Sequence, residues 1–344
     1  MVVWLSRVLT VSSCWLVGCG AVAEPAPAPV GAASEPGTAG RSAIDGGRSS
    51  RAVDGAPDAG AEADRGAGDA GAAEAGARAC PDGMVVVDGD YCTELEMHCL
   101  KSWYAESNRK VICERFEEPT QCVGDRVHKR FCIDLYEFPN EKGRRPEVMN
   151  NFYQAQIACA ARGKRVCTES EWTMACEGPA FKPYPYGYAR DATKCLGDRP
   201  YGFPNKTKIW ARDAAELERL WQGVESGSQP ACVSDFGVFD LPGNADELAA
   251  SERMHDGKFD NVTTGGPWYL GVRNQCRPKI YDHDESFAYY YLSFRCCAET
   301  DGAPTDPRAP KQIARGWDFE RVRQIAATSL DLKPREWGGH SPAH

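Results

Sequence analysis

Hydrophobic positions are unevenly distributed along this chain of 344 residues. Residues 8–17 form a short apolar run, and residues 20–78 contain almost no large apolar side chain. Residues 79–300 hold most of the aromatic residues and cysteines, and the segment 301–344 is again polar, with a weak helical pattern that Gly316 interrupts. The pattern therefore predicts one folded domain at 79–300, between segments that build no core of their own.

Two helices are predicted within the folded domain. Residues 152–162 have a helical pattern that Gly163 ends. Thr168 is followed three residues later by Glu171, which is the sequence of a capping box. The second helix is therefore expected to begin after Thr168 and to end at Gly178.

An aromatic run at residues 287–292, with the sequence FAYYYL, predicts a strand. Alternation along a strand would place Phe287, Tyr289 and Tyr291 on one face. Packing of that face into the core is the ordinary interpretation. A binding surface is the alternative, because Tyr is favoured where a protein meets a ligand.

The N-terminal residues predict export and a lipid anchor. The apolar run after Arg7 is too short to span a bilayer and indicates a signal peptide at 1–18. Residues 16–19, LVGC, resemble the lipobox of bacterial lipoproteins, in which the cysteine thiol is acylated. Gly20 after Cys19 favours sorting to the outer membrane. We expect a chain held to the membrane of the bacterial cell envelope by a lipid on Cys19, with simple secretion as the alternative.

Residues 19–78 are expected to be a disordered tether. Their Ala, Gly, Pro, Glu and Asp residues cannot bury enough apolar surface to offset the entropy of ordering. A Gly-rich coil of this length has an end-to-end distance of roughly 40 Å. The formal net charge of -9 argues against nucleic acid or anionic lipid as the main partner.

The cysteine count predicts a disulfide framework. Of sixteen cysteines, Cys14 lies in the signal peptide and Cys19 is the expected anchor, which leaves fourteen. An even number in an exported chain is typical of disulfides, and the close CxxC pairs of a zinc or iron–sulfur site are missing from the sequence. Six of these cysteines permit fifteen connectivities, among which the sequence does not choose. They are Cys80, Cys92, Cys99, Cys113, Cys122 and Cys132.

Four ordered motifs resemble those of the formylglycine-generating (sulfatase-modifying) enzyme family. They are CAARGKRVCTESEWTMACEG at 159–178, FGVFDLPGNADE at 236–247, GGPW at 265–268 and SFRC at 293–296. The resemblance covers roughly residues 82–299. It implies an α+β fold of the C-type-lectin-like kind, a single loop-rich domain with short sheets, two helices, bound calcium and disulfides.

The resemblance also implies specific disulfides. The family joins the cysteine of its first helix to the terminal Phe-Arg-Cys strand, and the cysteine of its second helix to one upstream of that strand. Two further pairs are weaker expectations. The four expected pairs are Cys159–Cys296, Cys176–Cys276, Cys167–Cys297 and Cys195–Cys232.

A calcium site is the one metal site that the resemblance implies here. Asp240 and Glu247 would supply side-chain oxygens, and Gly243 and Ala245 backbone carbonyls, a set that suits a hard cation. The alternative is that residues 242–244 form an ordinary turn whose acidic neighbours face water.

Copper and formylglycine synthesis are not expected. Oxygen-dependent members of the family hold copper with two thiolates, and the positions matched here, counted back from Cys276, are Gly266 and Gly271. Glycine offers no soft ligand to copper(I). A sister branch holds iron with three histidines. Of the six histidines here, only His340 and His344 stand at i, i+4 spacing, and both lie in the polar tail outside the predicted domain.

The remaining function is binding. Trp268, Arg273, Tyr289 and Tyr290 are candidates to line the groove in which family enzymes hold an extended peptide. We expect an envelope domain that binds a peptide or a glycan. An active sulfatase-modifying-type oxidoreductase with displaced ligands and a purely structural envelope protein are the alternatives.

Overall fold

The computed structural model describes residues 79–106, 109–252 and 259–311. The expected signal peptide, the anchor Cys19, the tether and most of the tail lie outside the described residues. Among the helices that the structure describes, none is both long enough and apolar enough to cross a bilayer.

The described chain consists of short elements joined by long loops. The strands are β1 (Met84–Cys92), β2 (Leu95–Glu96), β3 (Cys99–Ala105), β4 (Lys110–Phe116), β5 (Gln121–Cys122), β6 (Arg126–Asp134), β7 (Arg165–Val166), β8 (Asp246–Ala250), β9 (Asn261–Thr264), β10 (Lys279–Ile280), β11 (Leu292–Phe294) and β12 (Cys296–Ala298). The helices are α1 (Phe152–Ala160), α2 (Glu169–Glu177), α3 (Lys206–Trp210) and α4 (Ala214–Leu220), with a 3-10 turn at Gly271–Arg273.

Two four-stranded sheets organise these elements. The first has the order β1-β6-β12-β7, and its long antiparallel pair places Met84 opposite Asp134 and Cys92 opposite Arg126. The second has the order β10-β9-β8-β11, in which β11 runs parallel to β8. Strands β3 and β4 form a separate antiparallel hairpin. The result is the loop-rich α+β fold that the sequence predicts.

Helix α2 begins and ends at the residues that the sequence predicts, whereas α1 was expected to extend to Arg162 and ends at Ala160. Thr168 accepts a hydrogen bond from the Glu171 backbone N–H, and the Glu171 side chain accepts one from the Thr168 N–H, so the capping box of α2 is complete. Gly178 ends α2 with a φ of 66°, a conformation that favours glycine. Helix α1 starts with a second capping box, Asn151 with Gln154, which the sequence analysis did not recognise.

Helices α3 and α4 were not predicted. Asn205 accepts from the Lys208 N–H and Asp213 from the Glu216 N–H, so each short helix has a side-chain cap. The Asp213 cap, followed three residues later by Glu216, was a readable signal in the sequence.

The predicted strand at 287–292 is wrong. Regular pairing begins only at Leu292, and Phe287, Tyr289, Tyr290 and Tyr291 precede it in turns and loop, where the Leu292 N–H bonds to the Tyr289 carbonyl. All four rings are buried, so the run has no solvent face to impose alternation.

Seven disulfides join all fourteen cysteines of the described residues. Four are the pairs that the sequence analysis expected, Cys159–Cys296, Cys167–Cys297, Cys176–Cys276 and Cys195–Cys232. The three others resolve the connectivity that the sequence left open, Cys80–Cys132, Cys92–Cys122 and Cys99–Cys113. The vicinal pair thus bonds in two directions, with Cys296 joined to α1 and Cys297 to the residue that follows β7.

Candidate functional site

Glu247 lies at the centre of the second sheet. Because β8 pairs with β9 on one side and with β11 on the other, Glu247 stands between Thr264 and Ser293. Its carboxylate accepts from Arg295 Nε and Nη2, both at 2.7 Å, and from Trp172 Nε1 at 3.1 Å. The side chains of Glu247 and Arg295 are 1% and 0% exposed, so this bidentate ion pair is fully desolvated.

Two more carboxyl groups lie beside this ion pair. Glu137 Oε1 accepts from Asn244 Nδ2 at 2.8 Å, and its Oε2 from Ser226 Oγ at 2.7 Å. Asp240 Oδ2 accepts from the Gly227 N–H at 2.7 Å. Asp240 Oδ1 is buried and receives no hydrogen bond from the described residues unless the neighbouring Glu137 carboxyl carries a proton.

The group of Glu137, Asp240 and Glu247 therefore sets three buried carboxyls against the single guanidinium of Arg295. Burial raises the pKa of Asp240 to about 6, and the Glu247 carboxylate adds to this effect. Burial and the Asp240 carboxylate raise the pKa of Glu137 well above its usual value. The cluster needs a shared proton or a cation to balance its charge.

The calcium ligands implied by the family fit this cluster in part. Asp240 offers a buried oxygen without a donor, whereas Glu247 Oε2 already accepts two hydrogen bonds and only Oε1 has a lone pair left. Gly243 and Ala245 lie in the turn between them. The alternative of acidic residues facing water is wrong, because Asp240 and Glu247 are buried. A calcium ion here stays a prediction, in which Arg295 and the ion share Glu247.

The two positions matched to the family's copper thiolates are crowded, Gly266 by the Cβ and backbone of Arg273 and Gly271 by the ends of neighbouring side chains. Gly266 has a φ of 69°, and a Cβ on it would lie 2.6 Å from Arg273 Cβ. A Cβ on Gly271 would meet Asp198 Oδ1 and lie 2.9 Å from Arg190 Nη2. The residues present therefore do not fit a two-thiolate copper site, in space as well as in chemistry.

The β3–β4 hairpin covers one of these positions. Ile112 of β4 is fully buried, and its Cδ1 would lie 3.1 Å from a Cβ on Gly271. Beside it, the Arg190 guanidinium packs on the Trp103 ring and forms a bidentate ion pair with Asp198 at 2.7 and 2.9 Å. The hairpin and this ion pair together fill the space above Gly271.

The four candidate groove residues lie in the interior. Trp268, Tyr289 and Tyr290 are at most 2% exposed and belong to one core cluster. Arg273 is buried in a bidentate ion pair with Asp246, at 2.6 and 2.9 Å. These four side chains therefore line no open groove in the structure, and a ligand could reach them only if they moved.

Two of the described histidines, His98 and His128, lie at the surface. His98 is beside Glu96, and His128 lies between Asp88 and Asp90, all with side chains at least two fifths exposed. Within the described ranges, no group of three or more His, Cys, Asp or Glu side chains is placed to hold a metal ion, and this includes the group of Glu137, Asp240 and Glu247. A calcium ion at Asp240 and Glu247 would therefore need backbone carbonyls among its ligands.

Sequence reasoning missed Glu137, Asp246 and the role of Arg295. A charged residue within a buried run, as in FCIDLYEF at 131–138, was the available signal, because such a residue is rarely buried without a partner. The partners come from distant parts of the chain, and the sequence alone does not pair them.

Comparison with known proteins places these motifs in a family. Residues 114–300, more than half of the chain, match the model of the sulfatase-modifying factor enzyme 1-like domain. Two relatives, each named inactive C-alpha-formylglycine-generating enzyme 2, come from Bos taurus and Mus musculus. They are 29% identical over 132 and 133 residues, or 37% of this chain. The chain spans about two fifths of their length, 40% and 39%.

Two solved structures are also similar to part of this chain. PvdO from Pseudomonas aeruginosa superposes with a TM-score of 0.41 at 16% identity, covering 63% of this chain and 94% of PvdO. CarF superposes with a TM-score of 0.40 at 13% identity, covering 63% of this chain and 98% of CarF. On the family match and its four ordered motifs, the chain belongs to the formylglycine-generating (sulfatase-modifying) enzyme family.

Proposed function

We propose that this protein is a lipid-anchored envelope protein whose family domain binds a peptide or a glycan and does not make formylglycine. The anchor is the acylated Cys19, the location is the outer membrane, and calcium at Asp240 and Glu247 is structural. Each of these parts can be tested separately.

The observation that carries the loss of catalysis is the packing around Gly266 and Gly271. Copper(I) in the family needs a thiolate at each matched position. Here a Cβ at Gly266 collides with Arg273, and the space at Gly271 is filled by Asp198, Arg190 and Ile112. Neighbouring side chains occupy the space at both positions, so we expect that adding cysteine at Gly266 and Gly271 alone does not build a copper site.

The disulfides give independent support. All fourteen cysteines among the described residues are paired, which leaves no thiol there to serve as a displaced ligand. Freeing Cys276 would also leave Cys176 unpaired within the core. The names of the two matched relatives describe them as inactive, which agrees with the proposal.

The decisive experiment measures conversion of a sulfatase-type cysteine peptide by the purified full chain, with copper(I), air and a reductant. We expect no loss of peptide mass to the aldehyde, from the wild type or from the double variant Gly266→Cys/Gly271→Cys. Titration of the denatured wild-type domain should find no free thiol. Copper-dependent aldehyde formation by the wild type would show that the site was misplaced and that the protein is an enzyme.

Conversion by the double variant alone would carry a different meaning. It would show that the packing around Gly266 and Gly271 gives way, so that the missing thiols are the only obstacle. The Ser variant of each glycine is the matched control, because it adds similar bulk without a soft ligand.

A further inference from the structure

A groove lies on the outer side of the β3–β4 hairpin, at its junction with the loop of residues 182–194. Its volume is about 720 Å³, within the range of small-ligand sites. We call it the tyrosine groove. The side chains that matter for its chemistry are Leu100, Arg115, Lys182, Tyr186, Tyr188 and Lys194.

The floor of the tyrosine groove is a rigid aromatic shelf. Tyr186 stacks on Tyr184 with centroids 5.4 Å apart and planes 7° apart, and Tyr184 contacts the Phe116 ring at 6.0 Å. Tyr184 donates to the Cys113 carbonyl, and Tyr188 donates to the Ala180 carbonyl. These bonds hold the Tyr184 and Tyr188 rings in place. Tyr186 lies between Tyr184 and Lys194, and the partly exposed Tyr188 ring offers a ligand a preformed surface beside it.

Cations lie in the walls of the groove. Lys194 Nζ lies 5.2 Å from the centroid of the Tyr186 ring, and Lys182 pairs with Asp235 at 2.6 Å. Arg115 is exposed and forms no ion pair with the described residues. Glu117 and Glu118 also line the groove, but both are exposed at its rim, where water screens them more than it screens the half-buried lysines.

The backbone beside the groove is already paired. The Phe116 N–H bonds to the Tyr188 carbonyl at 2.9 Å, and the Arg190 N–H bonds to the Glu114 carbonyl at 2.8 Å. The edge of β4 is therefore closed to an added strand, the usual way of gripping an extended peptide. A ligand must be recognised by side chains, through ring stacking and contacts to cations.

We propose that the tyrosine groove binds the acidic sugars of a glycan, with a sugar ring on Tyr188 and its carboxylate or sulfate beside Arg115 and Lys194, which lies over the Tyr186 ring. This inference rests on the proposed function, which it narrows from peptide or glycan to acidic glycan. It also places the ligand site on the outer side of the hairpin, and not beside the buried Trp268 as the sequence analysis expected.

The test is calorimetric titration of the full chain with four probes. These are an oligogalacturonate, a sulfated oligosaccharide, a neutral oligosaccharide of the same length and a poly-glutamate peptide. We expect one or both acidic sugars to bind, more weakly as salt rises. The variant Arg115→Ala/Lys194→Ala should lose about tenfold or more in affinity. Lys110→Ala, an exposed cation of the same strand outside the groove, should bind as the wild type does, and equal melting temperatures would show that all three fold alike.

Several outcomes would overturn the proposal. They are no binding of either acidic sugar, equal binding of the neutral sugar or of poly-glutamate, and unchanged affinity in the Arg115→Ala/Lys194→Ala variant. None of them bears on catalysis, so the proposed absence of formylglycine synthesis fails only if the same preparation converts the cysteine peptide.

Discussion

Replacing Arg295 by Met tests the buried charge cluster directly. The Arg295 guanidinium is 0% exposed, donates twice to Glu247 and also bonds to the carbonyls of Asp134 and Phe239, at 3.3 and 3.2 Å. Met has a similar length and no charge. The variant therefore leaves the Glu247 carboxylate buried with Trp172 Nε1 as its one remaining donor among these contacts.

The expected cost follows from leaving a desolvated charge without its partner. Removal of one member of a buried ion pair costs about 3–5 kcal/mol of unfolding free energy. For a domain of this size, each kcal/mol lowers the melting temperature by about 2–4 °C, so we expect a fall of about 6–20 °C. Glu137 and Asp240 also lose their nearest cation, which places the estimate toward its upper end.

Urea unfolding followed by circular dichroism, in chelator so that no bound cation contributes, measures the loss. Adding Glu247→Gln to the Arg295→Met variant should recover part of it, because the unpaired charge is gone. Arg144→Met is the matched control, since Arg144 is half-exposed in its pair with Glu141 and should cost at most about 1 kcal/mol. If Arg295→Met costs no more than Arg144→Met, the buried pair of Arg295 and Glu247 does not stabilise the fold.

Four further predictions address the anchor, the ion, the pH dependence and the disulfides. A fatty-acid analogue should label the wild type in cells but not Cys19→Ser, and equal labelling of both would remove the anchor. Chelation should lower the melting temperature of the wild type and leave that of Asp240→Asn unchanged; no effect on the wild type would argue against calcium. The folded-state pKa of Asp240 is raised to about 6, so its contribution to stability is largest below pH 4 and is lost as the pH rises through 6. In chelator, the unfolding free energy of the wild type should therefore fall between pH 4 and 7, and Asp240→Asn should make that fall smaller. Non-reduced peptide mapping should join Cys99 to Cys113, and a link from either to another cysteine would show a different pairing in the hairpin.

The sequence predicted the parts of this fold that depend on local chemistry. Thr168 and Glu171 specify the start of α2 and Gly178 its end, because caps act within one turn. The disulfide partners of Cys159 and of Cys176, which are Cys296 and Cys276, came from the family resemblance, since the spacing of cysteines does not choose a connectivity. The run at 287–292 misled because alternation marks a strand only when one of its faces meets water.

The candidate site was less predictable because its partners are distant in sequence. Glu137 and Arg295 come from opposite ends of the domain and meet only after folding. The packing of Ile112 against Gly271 is likewise a contact between the hairpin and a loop some 160 residues later in the sequence. The sequence shows that a glycine stands at position 271, but it does not show which side chain lies beside it. Composition and motif spacing identify which ligands are missing, but they do not show what occupies their place.

The bridge between Cys80 and Cys132 decides how a pulling force would enter the domain. Strand β1 follows Cys80 and runs antiparallel to β6. Without the bridge, tension arriving at residue 79 would separate the two strands one hydrogen bond at a time, beginning at the end where Met84 lies opposite Asp134. The covalent bridge passes that load straight to β6, which is also paired with β12 in the same sheet. While this bond is intact, unfolding under force cannot start by unzipping β1 from its Met84 end, and reduction of the bond would expose that end to the load.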